Sequence, residues 1–401
     1  MEPAALPEAH QVHDKVWVST GLTHSYMVST TDGRVLIGAG MGFESPVHKR
    51  NFDAVDPSPT RALIFTQGHP DHVGGADHLA ESDTAIVAHA NQAEHLVQDA
   101  RLAAYRKNHS DFAFSSTVRD GALRILDEFG FLPEQATPTP TLTFEHQLHL
   151  TFGDTDFELI STPGGETFDS VVVWLPGERI LFTGNLFSAL TGHIPNLVTL
   201  RGDRYRQPLM FIDSVNRVLE LDVETLLPGH HGPIVGAEYI RSELTRVRDA
   251  TAWVHERTVD AMNAGESLWE VMQTIELPSE LEVGEGYGKV SWDVRAIWEQ
   301  YAGWFKHEST SELYGHPAHA VNPAMVALAG GPDPVVERAR VALADAEPVL
   351  AIQLAEAALS VDPAHRGACQ LMVEAHRHLL ETSSNFWLTS WLEHQVRRFD
   401  Q

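Results

Sequence analysis

Thr66-Gln67-Gly68-His69-Pro70-Asp71-His72-Val73-Gly74-Gly75 places three metal-capable side chains, His69, Asp71 and His72, within four residues. The stretch follows an apolar run, Ala62-Leu63-Ile64-Phe65, that reads as a buried strand, and it closes on two glycines. Imidazole and carboxylate are ordinary ligands of zinc and iron, so a strand-end loop this dense in both points to a divalent metal. Three further segments carry liganding residues at strand ends or in Gly-rich loops: Ser161-Thr162-Pro163-Gly164-Gly165-Glu166-Thr167, Leu181-Phe182-Thr183-Gly184-Asn185, and Leu226-Leu227-Pro228-Gly229-His230-His231-Gly232-Pro233. Each alone is a weak signal, because a lone loop histidine usually serves surface or core. Together they can converge on one edge of a sheet.

The chain has 401 residues, enough for two domains or one large domain with an appendage. Apolar residues make up 43%, ordinary for a protein with a full core. Net charge is -27 with histidine neutral, which argues against nucleic acid or an anionic membrane as partner. An anionic substrate would need local positive charge to be held. The single cysteine, Cys369, excludes an internal disulfide framework and a Cys-rich metal site. The N-terminus has no basic or apolar leader pattern and no run reaches the length of a membrane span, so a soluble, cytoplasmic protein is expected.

Short β-branched and aromatic runs crowd the first half: Val16-Trp17-Val18, Ser25-Tyr26-Met27-Val28, Val35-Leu36-Ile37, 84–88, 147–152, 156–161, 171–175 and 180–183. Residues 92–126 read as an irregular helical insertion with loops near Ser110, and 210–220 as a helix. Beyond Tyr239 strand signals vanish. Helices are expected at 239–263, 267–275 and 292–305, and helical pairs from Pro334 to Phe399.

The opening segment closely resembles the metal-binding signature of the metallo-β-lactamase fold, His-x-His-x-Asp-His, with Gln67 in place of the first histidine. In that superfamily the second segment supplies a histidine where Glu166 stands, and the third an aspartate bridging two metals where Asn185 stands. Glu in Pro-Gly-x-Glu is similar to the type III alkylsulfatases. So are Asn196-Leu197-Val198-Thr199-Leu200-Arg201-Gly202, Tyr287 to Ala296, Tyr301 to Phe305, and the tail Asn385-Phe386-Trp387-Leu388-Thr389. That family's His is Pro195 here, its His-Asn is Trp292-Asp293, and its sterol-carrier-like C-terminal domain is missing, as in a shortened relative.

The resemblance implies an α/β protein: an αββα metallo-β-lactamase sandwich followed by an all-α helical domain. Residues 1–236 would form the catalytic domain, with its insertion near 92–126. Residues 237–330 would pack on it as a helical extension, and 331–401 would form a dimerisation domain making a homodimer. It implies two unequal metal sites. Asp71, His72 and His230 form the tight one; His69 and Glu166 form the labile one, with Gln67 and Asn185 as weak helpers. His230 is preferred to His231 because it occupies the ligand position of Pro-Gly-His. The cofactor expected is zinc, one or two per chain, with iron and manganese as alternatives. Asp71 would orient the attacking water, and Asn196, Thr199, Arg201 and Trp292 would contact an anionic small molecule with an apolar part. The leading expectation is a metallohydrolase of sulfate-ester-like bonds. A diiron oxygenase, a hydrolase of other esters or lactones, and a non-catalytic scaffold are the alternatives.

Overall fold

Seven strands, β1 (His10–His13), β2 (Val16–Ser19), β3 (Ser25–Thr30), β4 (Gly33–Ile37), β5 (Thr60–Ile64), β6 (Ala85–His89) and β7 (Leu142–Phe144), form one sheet in sequence order. It is antiparallel through β4 and parallel from β4 to β7. Six more, β8 (Gln147–Phe152), β9 (Thr155–Ser161), β10 (Val171–Leu175), β11 (Ile180–Gly184), β12 (Thr225–Pro228) and β13 (Ile234–Val235), form a second sheet in the reverse spatial order. Only β11 and β12 pair in parallel there. These elements belong to a computed structural model that describes residues 8–187, 191–198 and 200–400. Thr199, expected to touch substrate, lies outside the described residues.

The period-two alternation of strands assigns side chains to layers. Val171, Val173 and Leu175 point into the core between the sheets, with Ile37, Ile64, Phe157 and Phe182. Their neighbours Val172 and Trp174 pack outward against the helices α6 (Pro208–Leu219) and α7 (Ala237–Ala264), as do Leu181 and Leu226. On the far side of the first sheet, Met27, Leu36 and Leu63 pack against Phe52 of α1 (Ser45–Val55) and Ala76 and Leu79 of α3 (Ala76–Leu79). Helix, sheet, sheet, helix is the layering expected.

The backbone between β5 and α3 carries a single turn, α2 (Pro70–Val73). After β6 come α4 (Gln92–Arg101) and α5 (Ala103–Phe129). The loops expected near Ser110 are absent from these described residues: α5 runs unbroken for 27 residues and the break falls at Leu102. Ser and Asn favour turns when their side chains compete for the backbone. Here Ser115 instead donates to the Asp111 carbonyl one turn back at 2.7 Å, leaving the helix ladder in place.

By contact the chain falls into two units, Met1–Trp298 and Glu299–Gln401. Helices α7, α8 (Leu268–Thr274) and the first part of α9 (Val290–Ala302) share cores with the first unit. Helix α9 ends at Ala302 rather than at Phe305, because Gly303 turns left-handed (φ +72°) and caps it with a bond to the Glu299 carbonyl. The second unit continues with α10 (Thr310–Leu313) and α11 (Asn322–Leu328), then α12 (Pro332–Ala344), α13 (Pro348–Leu359), α14 (Arg366–Leu380) and α15 (Phe386–Phe399). Ala339, Ala355, Ala358 and Ala368 are fully buried there around Leu371 and Met372, so the helix backbones approach closely. No helix of the described residues is long and apolar enough to cross a membrane.

Candidate metal centre and active-site cavity

The first unit gathers its chemistry where β5, β9, β11 and β12 run out. His69 and Asp71 leave β5 around α2, Glu166 sits between β9 and β10, Asn185 follows β11, and His230 follows β12. Backbone bonds fix these loops to one another. Gly229 N–H donates to the Gly184 carbonyl, Val171 N–H to the Thr66 carbonyl, and the Tyr26 hydroxyl to the Pro228 carbonyl. Two glycines let these loops approach closely. Gly184 has φ +51° and a Cβ there would lie 2.6 Å from Thr66 Cβ; a Cβ on Gly229 would lie 2.6 Å from Asn185 Oδ1.

Asp71, His72 and His230 present ligand atoms that all lie within 4.8 Å of one another. Both imidazoles are oriented from behind. His230 Nδ1 donates to the Leu22 carbonyl at 2.6 Å, and His72 Nδ1 is 3.1 Å from the Thr66 hydroxyl. Each Nε2 therefore turns its lone pair inward, where His72 Nε2 is buried without a hydrogen-bond partner. Burial lowers both imidazoles, His230 to about 4, so they are neutral donors at pH 7. Burial alone would raise the Asp71 carboxyl. The facing His72, His230 and His69 and a hydrogen bond from Thr23 outweigh it and keep Asp71 ionised well below the ordinary carboxylate range. Two neutral imidazoles, one carboxylate and an orphaned inward lone pair fit a divalent ion. Asn185 Oδ1, also buried without a partner, lies beside this group as a neutral acceptor.

The other expected pocket is built differently. His69 Nδ1 is 2.9 Å from the Gln67 amide, and His69 Nε2 is 3.1 Å from Arg201 Nη2. Glu166 pairs with Arg206, whose other nitrogen donates to the Asn196 carbonyl at 2.7 Å. Asp203 joins the cluster, 3.6 Å from His69, 3.8 Å from Arg201 and 3.1 Å from Arg106. Burial lowers His69 to about 3, with Arg201 adding to the effect, so this histidine is neutral too. Burial raises Glu166, an effect its two arginines partly offset.

A cavity of about 190 Å³ opens onto both groups. Its polar end is formed by His69, Asp71, Glu166, Asn185, Arg201 and His230, and its apolar walls include Leu22, Met41, Phe114 and Val118. Phe114 and Val118 come from α5, so the insertion forms part of the cavity wall. Tyr287 also faces the cavity, its phenol pushed up by burial to about 12. Trp292 does not line it: half-buried on α9, it is replaced there by Tyr287, five residues earlier in the same stretch. Asn196 is buried behind, both side-chain polar atoms without partners, and also outside the lining.

The four ligand-bearing loops were legible in the sequence, but Thr23, Asp203, Arg206 and Tyr287 were not named there as site residues. A hydroxyl 48 residues upstream of the aspartate it holds leaves no local trace. The alternation Arg201, Asp203, Arg204, Arg206 in a chain with 28 basic against 55 acidic residues was the available signal for the arginine cluster.

Residues 18–230 match the family model of the metallo-beta-lactamase superfamily, and 267–395 that of alkyl sulfatase dimerisation. A linear primary-alkylsulfatase of Pseudomonas sp. is 26% identical over 382 residues, covering 91% of this chain and 72% of that protein. An alkyl/aryl-sulfatase of Saccharomyces cerevisiae, BDS1, is 25% identical, covering 83% of this chain and 54% of its own length. The solved structure of a stereoselective inverting sec-alkylsulfatase from Pseudomonas sp., Pisa1, superposes with a TM-score of 0.85 at 22% identity. That match covers 98% of this chain and 66% of the other, so the chain spans about two thirds of that structure. With the layered fold, the four strand-end loops and the helical region following them, this chain belongs to the metallo-beta-lactamase superfamily and is homologous to alkylsulfatases.

Proposed function

We propose that this protein is a metal-dependent hydrolase of alkyl sulfate esters, and the observation that carries the reading is the two-ended cavity. One end offers Asp71, His72 and His230 for an ion beside the Arg201 guanidinium; the walls offer Leu22, Met41, Phe114 and Val118 to a hydrocarbon chain. When bound, a divalent ion such as zinc supplies Lewis acidity and acidifies water to a pKa near about 7. Asp71, ionised and held by Thr23, would help hold the ion and orient a water beside it. Arg201 meets sulfo oxygens with a planar fork of donors, the local positive charge that an acidic protein needs. The Tyr287 phenol, protonated throughout the neutral range, donates a hydrogen bond to an oxygen of the ester. The diiron oxygenase alternative needs His69 and Glu166 as ligands, and both are engaged by arginines.

The test is release of inorganic sulfate from medium-chain alkyl sulfates, followed by ion chromatography after reconstitution with zinc, manganese or iron. Wild type releases sulfate, His72→Ala loses metal and release together, and Arg201→Ala raises KM for the sulfate more than for a neutral ester of the same chain. No sulfate from any metal form across chain lengths would sink the proposal.

A further inference from the structure

The superfamily pattern implies a second ion at the position faced by Gln67, His69 and Glu166, and these residues do not fit one. Arg201 carries no lone pair, so its 3.1 Å contact with His69 Nε2 makes that nitrogen the acceptor. A neutral imidazole then carries its proton on Nδ1, which stands 2.9 Å from Gln67 Nε2; with the amide turned end for end its oxygen, unpartnered as it stands, would accept that proton. Glu166 Oε1 is taken by Arg206. Of the four atoms that could have gripped an ion here, His69 Nε2 and Glu166 Oε1 are taken by arginines, while Gln67 Oε1 and Glu166 Oε2 have no partner. Charge is already balanced as well. Arg106, Arg201 and Arg206 face Asp99, Asp203 and Glu166, three against three, with Arg201 3.9 Å from Glu166 and 3.8 Å from Asp203. A dication placed among them would meet a guanidinium where it needs a ligand.

We propose that the Arg201 guanidinium takes the place of the second metal ion, so that the protein holds one divalent ion, at Asp71, His72 and His230, beside a fixed organic cation. The cation is anchored by Glu166 and Asp203 on one side, while the Arg201 side chain keeps 22% of its surface exposed and faces the cavity. A mononuclear centre of this kind keeps the positive charge toward an anionic ester that two metals would supply. Gln67 is the complementary change, a neutral amide against His69 Nδ1 where the superfamily has a basic imidazole. The inference rests on the hydrolase reading for the role of that charge, and on the geometry alone for the ion count.

The experiment is ion stoichiometry. The full chain is stripped with a chelator, reloaded with excess zinc, gel-filtered and measured by elemental analysis. Wild type is expected to carry one zinc per chain, Gln67→His alone still one, and Gln67→His combined with Arg201→Ala two. Two zinc ions in wild type or in Gln67→His would overturn the assignment and leave sulfate hydrolysis standing. So would one zinc in the double variant with a wild-type circular dichroism spectrum. No zinc in wild type would overturn this assignment and the hydrolase reading together. One zinc without sulfate release would overturn only the hydrolase reading.

Discussion

Asp293 is a buried carboxyl with one satisfied oxygen: Oδ1 accepts the Leu197 amide at 3.1 Å, and Oδ2 has no partner. Burial raises it well above the ordinary carboxylate range. The unfolded chain releases this proton near pH 3.9, the folded chain only at higher pH. Between those values the native state binds more protons, so this group's contribution to stability is full below about pH 3.9 and is lost as pH rises through its folded value. Asp293→Asn keeps an acceptor for Leu197 and removes the penalty. It should raise unfolding free energy at pH 8 by about 1–3 kcal/mol and change it little at pH 4. Urea denaturation at both values checks this, and an equal shift at both would refute it. Legibility at this scale follows sequence separation. His69, Asp71 and His72 share one loop, and His230 stands in a Pro-Gly-His segment, so both were readable. Trp292 was expected at the cavity because it replaces a family histidine, but it does not line the cavity, whereas Tyr287, five residues earlier, does. Thr23, Asp203 and Arg206 act through contacts that only the fold creates.

Helix α5 shows how an element can be legible in kind and not in consequence. Its helical character was readable, but its continuity through Ser110 and the residues by which it meets the cavity were not, because both depend on what it packs against. Ile125 is fully buried in a cluster with Leu22, Phe43 and Val47, while Leu123 on another face is 58% exposed. That anchored end lies about two to three turns beyond Phe114 and Val118, which meet the cavity. A wall residue of this sort discriminates by chain length and leaves the reacting end alone. Phe114→Ala should raise KM for long-chain alkyl sulfates by about tenfold, in line with the 1–3 kcal/mol of a pocket contact, with kcat nearly unchanged. Short-chain sulfates should show little effect. Steady-state kinetics over a homologous series of chain lengths measures it, and a uniform fall in kcat at every length would mean that α5 positions the reacting groups instead.

The whole molecule sets two charges of opposite sign against each other: a net -27 over the chain, and arginines gathered at one site. The layered fold was readable at this scale because strand alternation and the four strand-end loops agree. Helices without strand signals read alike on either side of Trp298, where the chain divides by contact. The charge contrast governs encounter. An anionic ester approaching from solvent meets a repulsive field first and Arg201 only at contact. Mobile ions screen the long-range field, whose reach shrinks from about 30 Å at 0.01 M salt to about 8 Å at 0.15 M. They screen the arginine far less, because its partners and the cavity walls exclude most solvent. Added salt should therefore raise kcat/KM for an alkyl sulfate severalfold across that range, opposite to the fall seen when an enzyme attracts its substrate by net charge. A neutral ester of equal chain length should be indifferent. If kcat/KM for the sulfate instead falls with salt, the local field around Arg201 reaches into solvent and dominates the acidic surface.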